Sequence, residues 1–457
     1  MAMELPRFFA LESIDVSEYL RHLKGSDADH PDIRCTGKEV VSPYTKFESV
    51  VPKMDNNDRG LVHIRCCYNN KYWVKESEEG DMITPRATEP EEDDTKWSCT
   101  LFEPIYNMEG TTLQVQLNHV QLGQPLYVFT GSRNCIRVNP DTSAAKFTVI
   151  DWQSLLVLPK QVALKRPGGQ YLNVLNNDGD LVFMSDDGAD ATVGQEVVTT
   201  RDGSIRLKPN CLDKYWHRDV DNQVRVNCDS DDLFQPIQVA DNMIALRSLS
   251  NNMYCRSYKD GDKYYLIADM PTICRDSRLE VVELVLSRSI YNVVFHEEDG
   301  RIYDETMTTM ASGEVVNQTD VDDNIELKLS YTDTQTMAWN FSGSLTLGVK
   351  YTMKAGVPLI CGSKIKVSAS ITLGVQYTTT TTTTRLAETV YRVHVPAHTR
   401  VKVSLKATQG KCDVPYSYTQ CDTFFNGQTE TYRKDDGVFT GTNCYHLSYY
   451  TEEEALT

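Results

Sequence analysis

Residues 341–353, FSGSLTLGVKYTM, place Phe341, Gly343, Leu345, Leu347, Val349, Tyr351 and Met353 on one side of an extended chain. Ser, Thr, Gly and Lys fall on the other, because successive side chains of a strand point to opposite faces. Nine residues later the pattern resumes as SKIKVSASITLGVQY, 363–377, with Ile365, Val367, Ala369, Ile371, Leu373, Val375 and Tyr377 in the odd positions. A strand that crosses a bilayer needs only about 9–11 residues, with one apolar and one polar face. Both ribbons meet that requirement. No Asp or Glu occurs between Asp333 and Glu388, in a chain that has 64 of them, and Lys350, Lys354, Lys364 and Lys366 all lie on the even, polar side. The intervening KAGVPLICG, 354–362, contains Gly356, Pro358 and Gly362 and reads as an apolar turn.

The pattern therefore predicts a membrane-inserting hairpin over 339–377. Phe341, Leu345, Leu347, Val349, Tyr351, Met353, Ile365, Val367, Ala369, Ile371, Leu373 and Val375 would face lipid. The competing reading is an ordinary amphipathic hairpin that covers one side of a soluble core. A lone inserted hairpin would leave unpaired N–H and C=O groups along both edges, each costing several kcal/mol in hydrocarbon. Only closure with other copies removes those edges. Insertion thus demands a water-soluble protomer that assembles into a larger ring.

At 457 residues there is room for roughly three domains. The formal charge of −18 argues against a nucleic-acid partner, which needs a basic footprint, but leaves uncharged sugars open. The stretch MAMELPRFFALESIDVSEYL lacks the basic start and apolar core of a secretory leader, and no run of about 18 apolar residues occurs. The expected location is cytoplasmic while soluble and the target membrane once assembled. The 13 cysteines show no C-x-x-C pair or zinc spacing, so reduced, buried thiols are expected and no metal site. NNDGDL, 176–181, lacks the closing Glu of a calcium loop and reads as a hairpin turn. His217 and Asp219 have no nucleophile motif beside them, and no phosphate-cradling Gly loop occurs. No enzyme, catalytic residue or cofactor is expected.

The amino-terminal part repeats. GLVHIRCCYNNKYW, 60–73, and GSIRLKPNCLDKYW, 203–216, share Gly, Lys, Tyr and Trp at a constant offset of 143 residues. Within each copy a Tyr follows a turn-like tripeptide. The first has VSEYLRH, NNKYWVK and QPLYVFT, the second GGQYLNV, LDKYWHR and NNMYCRS. Three such units of about four short strands suggest a β-trefoil, present twice. LVLPKQV, 156–162, reads as the join, and after about Val285 the composition shifts to Thr, Ser and Val with long alternating runs. The expected fold is all-β: two tandem β-trefoil domains, 1–155 and 156–286, then an elongated antiparallel-sheet domain, 287–457.

The ribbon pair, the Thr-rich strand after it and YRVHVPAHTRVKVSL, 391–405, resemble the aerolysin-type pore-forming module. That resemblance implies a hairpin that unfolds into a transmembrane barrel. DRGLVHIRCCYNNKYWV, ATEPEEDDTKWSCTLFEP, VQLNHVQLG, FTVIDWQSL and LEVVEL resemble amaranthin-type lectins of two β-trefoils. This implies a homodimer that holds galactose- or N-acetylgalactosamine-containing glycans, as in plant defence lectins. In that family a sugar-binding loop carries Tyr-Trp before Ile-Thr; the matching stretch is ESEEGDMIT, 76–84, so Asp81 and Met82 replace the aromatic pair. Glu76, Ser77, Glu79, Asp81 and Met82 are the carbohydrate-binding candidates. The expected function is a lectin that docks on glycans and oligomerises to insert a β-hairpin pore. The alternative is a non-lytic carbohydrate-binding stress or interaction lectin whose aerolysin-like part is structural or oligomerising.

Overall fold

The structure, a computed structural model, describes all residues except 1–2, 24–31, 54–57, 132–133, 140–142, 176–178, 228–229, 342–349, 370, 377–379, 426 and 457. It also leaves the side chains of 341, 350, 351, 371 and 373–376 outside the description. Among the described residues there is no α-helix; strands are joined by tight turns and short 3-10 segments. The chain divides into two compact units, one holding 1–288 with 422–430, the other holding 289–341, 350–421 and 431–457.

The first unit contains two 12-stranded antiparallel sheets, running from Phe8–Ser13 to Phe147–Asp151 and from Gln161–Lys165 to Leu279–Glu283. Twelve strands are what three four-stranded units require. In each sheet the last strand returns to pair with the first, Phe9↔Asp151 to Ser13↔Phe147 in one and Val162↔Glu283 to Lys165↔Glu280 in the other. The repeated tripeptides have a common physical cause. Ser17, Asn70, Gly169 and Asn252 each take positive φ two residues before a Tyr. The strand register then slips by a bulge at that Tyr, between Tyr19 and Leu20, Tyr72 and Trp73, Tyr171 and Leu172, and Tyr254 and Cys255. Residues that tolerate the left-handed region therefore recur at that position. The same holds for Gly60 and Gly203, at φ 62 and 85, the glycines of the 143-residue repeat.

The repeat tryptophans are core, not platforms. Trp73 lies fully buried with its ring centroid 5.1 Å from Phe47 and 6.0 Å from Phe102. Trp216 packs 5.8 Å from Phe234 and donates its indole N–H to Gln195 Oε1 at 3.0 Å. The 12 cysteines in the description are all free thiols, and burial raises those of Cys35 and Cys66 to about 12.

The second unit is organised by an eight-stranded sheet. Its order is Ile371–Gln376, Lys350–Ala355, Val285–Phe295, Thr399–Phe424, Thr429–Ala455, Asp323–Phe341, Thr381–Val395, with Arg301–Asn317 also on Thr399–Phe424. The Thr tract is strand from Thr381, and Thr381–Val395 pairs continuously from Asp323↔Val395 to Met337↔Thr381. In the stretch 395–405 the alternation buries Val395, Val401, Val403 and Leu405 with Val393 and Leu329 in one core. A second core gathers Trp339, Tyr416, Tyr418 and Phe439. Trp339 is 5.0 Å from Phe439 and 5.6 Å from Tyr416, centroid to centroid.

Candidate functional site

The described parts of the two ribbons form one hairpin, with its turn placed differently from the sequence reading. Lys350–Ala355 pairs antiparallel with Ile371–Gln376, from Lys350↔Gln376 through Met353↔Leu373 to Ala355↔Ile371. Pro358–Cys361 then pairs with Lys364–Val367, Pro358↔Val367 to Cys361↔Lys364, and the chain reverses at Gly362, whose φ is 70. Most of the expected turn, 354–362, is therefore strand. The partner sums differ by one between the two ladders, so the apolar phase of the first arm switches from odd to even residues around Gly356 and Val357. Trp339 to Phe341 are the end of a long sheet strand, paired Trp339↔Phe439 and Phe341↔Gly437.

Met353, Ala355, Val357, Ile360 and Ile365 are buried against the aromatic core of Trp339, Tyr416 and Phe439. Val367 is half-buried and Ala369 exposed, while Lys354, Lys364 and Lys366 face solvent. Leu345, Leu347 and Val349 lie outside the described residues, as do the side chains of Phe341, Tyr351, Ile371, Leu373 and Val375. The apolar face thus meets protein here.

Two attachments hold this hairpin by its backbone. At its base Lys350–Ala355 runs parallel to Val285–Phe295 over Ser289↔Thr352 and Ile290↔Met353. Ile371–Gln376 is the sheet edge, with Lys350–Ala355 as its one sheet neighbour among the described residues. Near the tip the buried side chain of Asn443 mimics a strand, accepting from Ile360 N–H at 2.9 Å and donating to Ile360 C=O at 3.0 Å. An asparagine 83 residues away carries no spacing signal, and the sequence reading missed it.

Asn443→Ala would leave both polar groups of a buried Ile360 backbone without a partner, at about 1–3 kcal/mol for each. We expect amide exchange over 350–376 to accelerate about tenfold or more while the amino-terminal sheets keep their protection. Unchanged exchange would show that Asn443 holds nothing.

The acidic loop is built differently from a sugar platform. Glu76 N–H donates to Met82 C=O at 2.8 Å, and Ser77 Oγ accepts from Gly80 N–H at 3.0 Å. The Lys75 ammonium is tied to Glu78 C=O at 2.9 Å. Asp81 pairs with Arg137 at 3.3 Å, and the Arg137 guanidinium lies 4.4 Å from the Phe129 ring centroid. Met82 is buried, so Ser77, Glu78 and Glu79 are what the loop exposes. Among the described residues no cluster of three or more His, Cys, Asp or Glu could hold a metal. No helix is long and apolar enough to cross a membrane.

Fold and site together define a class: an all-β chain whose second, strand-rich unit carries an amphipathic edge hairpin. The family comparisons give this class its names. Residues 3–151 match the Agglutinin domain and residues 259–431 match the Aerolysin toxin family. The chain carries an agglutinin domain, 3–151, followed by an aerolysin-type domain, 259–431. The second match begins inside the second 12-stranded sheet and ends near the start of the strand Thr429–Ala455. Similar solved structures include a lamprey immune protein, at 12% identity over 65% of this chain and 100% of that one, TM-score 0.34. The hemolytic lectin CEL-III is 11% identical over 96% and 93%, TM-score 0.32. An aerolysin-like protein of Bombina maxima is 12% identical over 36% and 99%, TM-score 0.25. No curated protein matches the chain.

Proposed function

We propose that this protein is a non-enzymatic lectin that docks on cell-surface glycans, oligomerises, and inserts the hairpin 350–376 as part of a β-barrel pore. The observation that carries this reading is the edge placement of a hairpin whose apolar face is buried against an aromatic core. An amphipathic ribbon at a sheet edge can leave by breaking a short parallel ladder and one side-chain clasp, without disrupting the long central strands. In a barrel the same face would meet lipid, and neighbouring copies would pair its edges. The protomer would be cytoplasmic or otherwise water-soluble until assembly, and galactose- or N-acetylgalactosamine-containing glycans are the docking ligands that this reading assigns to the agglutinin domain.

A specific observation favours a second reading, a non-lytic lectin with altered sugar choice. Asp81 is committed to Arg137 and Met82 is buried, so the acidic loop offers no ring for a galactose to stack on. Calcein release from liposomes with and without neutral glycolipids, beside a glycan array, separates the two. Release that depends on one glycolipid class is the result expected for the pore. A clear array hit without release at any glycolipid content would leave the lectin and remove the pore.

A further inference from the structure

Where the link between the two 12-stranded sheets passes over Phe234–Ala240 and Met243–Ser248, it encloses a cleft of about 470 Å3. Arg247 reaches into this cleft. The antiparallel register pairs Gln235 with Arg247 and Ile237 with Ala245, which puts Gln235, Ile237 and Arg247 on one face of the strand pair. Ile150 and Leu155 supply an apolar wall opposite.

Arg247 stands apart from the other arginines. Its buried Nε lacks an acceptor, as do those of Arg21, Arg34, Arg137, Arg206, Arg225 and Arg400, but its guanidinium alone also makes no hydrogen bond, ion pair or ring contact. Among the described residues every other arginine that is not exposed has such a partner. Arg65 has Glu48, Arg225 has Asp180, Arg256 has Asp269, Arg288 has Asp422, and Arg21 lies over Tyr44. In a chain with 64 acidic against 46 basic residues, a half-buried arginine without a carboxylate is conspicuous. Arginine cannot shed its proton to relieve partial desolvation, so an oxyanion entering the cleft would find an uncommitted guanidinium. Its planar fork matches a carboxylate or sulfate through two parallel hydrogen bonds.

We propose that this cleft is a second glycan site, specific for a sugar that bears an oxyanion, either a carboxylate or a sulfate; the inference rests on the glycan-binding reading above. The anion sits on Arg247. The apolar face of the pyranose lies along Ile150, Leu155 and Ile237, and Gln235 meets its hydroxyls. Asp202 on the rim already spends Oδ1 on Thr200 and Ser204, which leaves Oδ2 to accept a sugar hydroxyl and directs the anion toward Arg247. The exposed carboxylates of the 76–82 loop would repel such a ligand, so the two sites would select different sugars.

Calorimetric titration of the full chain with N-acetylneuraminic acid, glucuronic acid, galactose 6-sulfate and galactose tests this. At least one acidic sugar should bind about tenfold or more tightly than galactose, and the carboxylate and sulfate arms identify which oxyanion fits. Arg247→Gln should weaken acidic-sugar binding at least about tenfold at unchanged Tm, with Arg247→Lys retaining part of it. Ile237→Glu, which adds a carboxylate to the cleft and leaves Arg247 in place, should cause the same loss. Equal binding of galactose, no binding of any acidic sugar, or full binding by folded Arg247→Gln would overturn the site. If acidic sugars fail while neutral glycolipid liposomes still leak, this inference falls alone. If they bind and no liposome leaks, the pore reading falls and the cleft stands.

Discussion

Oxidising a Ser289→Cys/Thr352→Cys pair is expected to reduce liposome release to background, and reduction is expected to restore it. The two residues are direct partners in the parallel ladder that ties the hairpin to the sheet. Neighbouring strands lie about 4.8 Å apart, inside the roughly 4.4–6.8 Å Cα window of a disulfide. Thr352 is exposed and Ser289 half-buried, so the bond adds little to the core. The crosslink fixes the base of the hairpin and leaves glycan docking untouched, so array binding should be the same in both redox states. The native thiols require the unmodified protein as a control under the same oxidant. Leu347→Lys is the complementary test: a lysine on the lipid side near the bilayer midplane costs about 2–4 kcal/mol per protomer. Release should vanish while Tm and array binding hold. A crosslinked protein, verified by mass, that still leaks would remove the hairpin from the mechanism.

The agglutinin domain is expected to lose about 3 kcal/mol of stability between pH 6.5 and 4. His119 is fully buried, and the Phe102 ring meets it edge-on at 5.4 Å. Burial first, and the nearby charge of Lys75 second, hold its pKa down at about 4 from an ordinary 6.5. The unfolded chain therefore takes up a proton near 6.5 that the folded domain refuses until about 4. The stabilising effect is complete above 6.5 and is lost as pH falls through that window, at about 1.4 kcal/mol per pH unit. Burial depresses His63 in the same direction. The Glu48 carboxyl is pushed up by burial but held below its ordinary value by Arg65 and Arg7, so its contribution disappears only at lower pH. Urea melts from pH 7.5 to 4 should show the decline in the native protein. His119→Leu should remove most of it, and a native profile that is flat over this range would refute the assignment.

Where side chains are described, the alternation is kept because it is a local property: the odd residues Met353 and Ile365 face a core and Lys354, Lys364 and Lys366 face water. The turn was misplaced for an equally local reason. Gly356 and Pro358 are ordinary turn signals, yet a Cβ at Gly356 would lie 2.4 Å from Ser368 O, so that glycine permits a close crossing of two arms. Pro358 opens its strand, where a missing N–H is tolerated. Gly362, with the left-handed φ, makes the reversal. The trefoil-like periodicity was legible through its Tyr positions because four of the six, Tyr19, Tyr72, Tyr171 and Tyr254, follow a residue in the left-handed backbone region. Asn443 and Arg247 were not. One acts through a contact 83 residues away, and the other is defined by a missing partner, which no linear pattern records.

The one-residue slip at Gly356 divides the hairpin into a shaft and a head. The described shaft, Lys350–Ala355 against Ile371–Gln376, is a regular antiparallel ladder of six residues per arm. The head, Val357 to Val367, is a two-stranded element out of phase with the shaft and tipped with Lys364 and Lys366. It cannot join a barrel wall without changing register, so in the proposed pore it would travel ahead as a preformed rivet. On the far side, where its lysines regain water, its width would oppose withdrawal of the strands behind it.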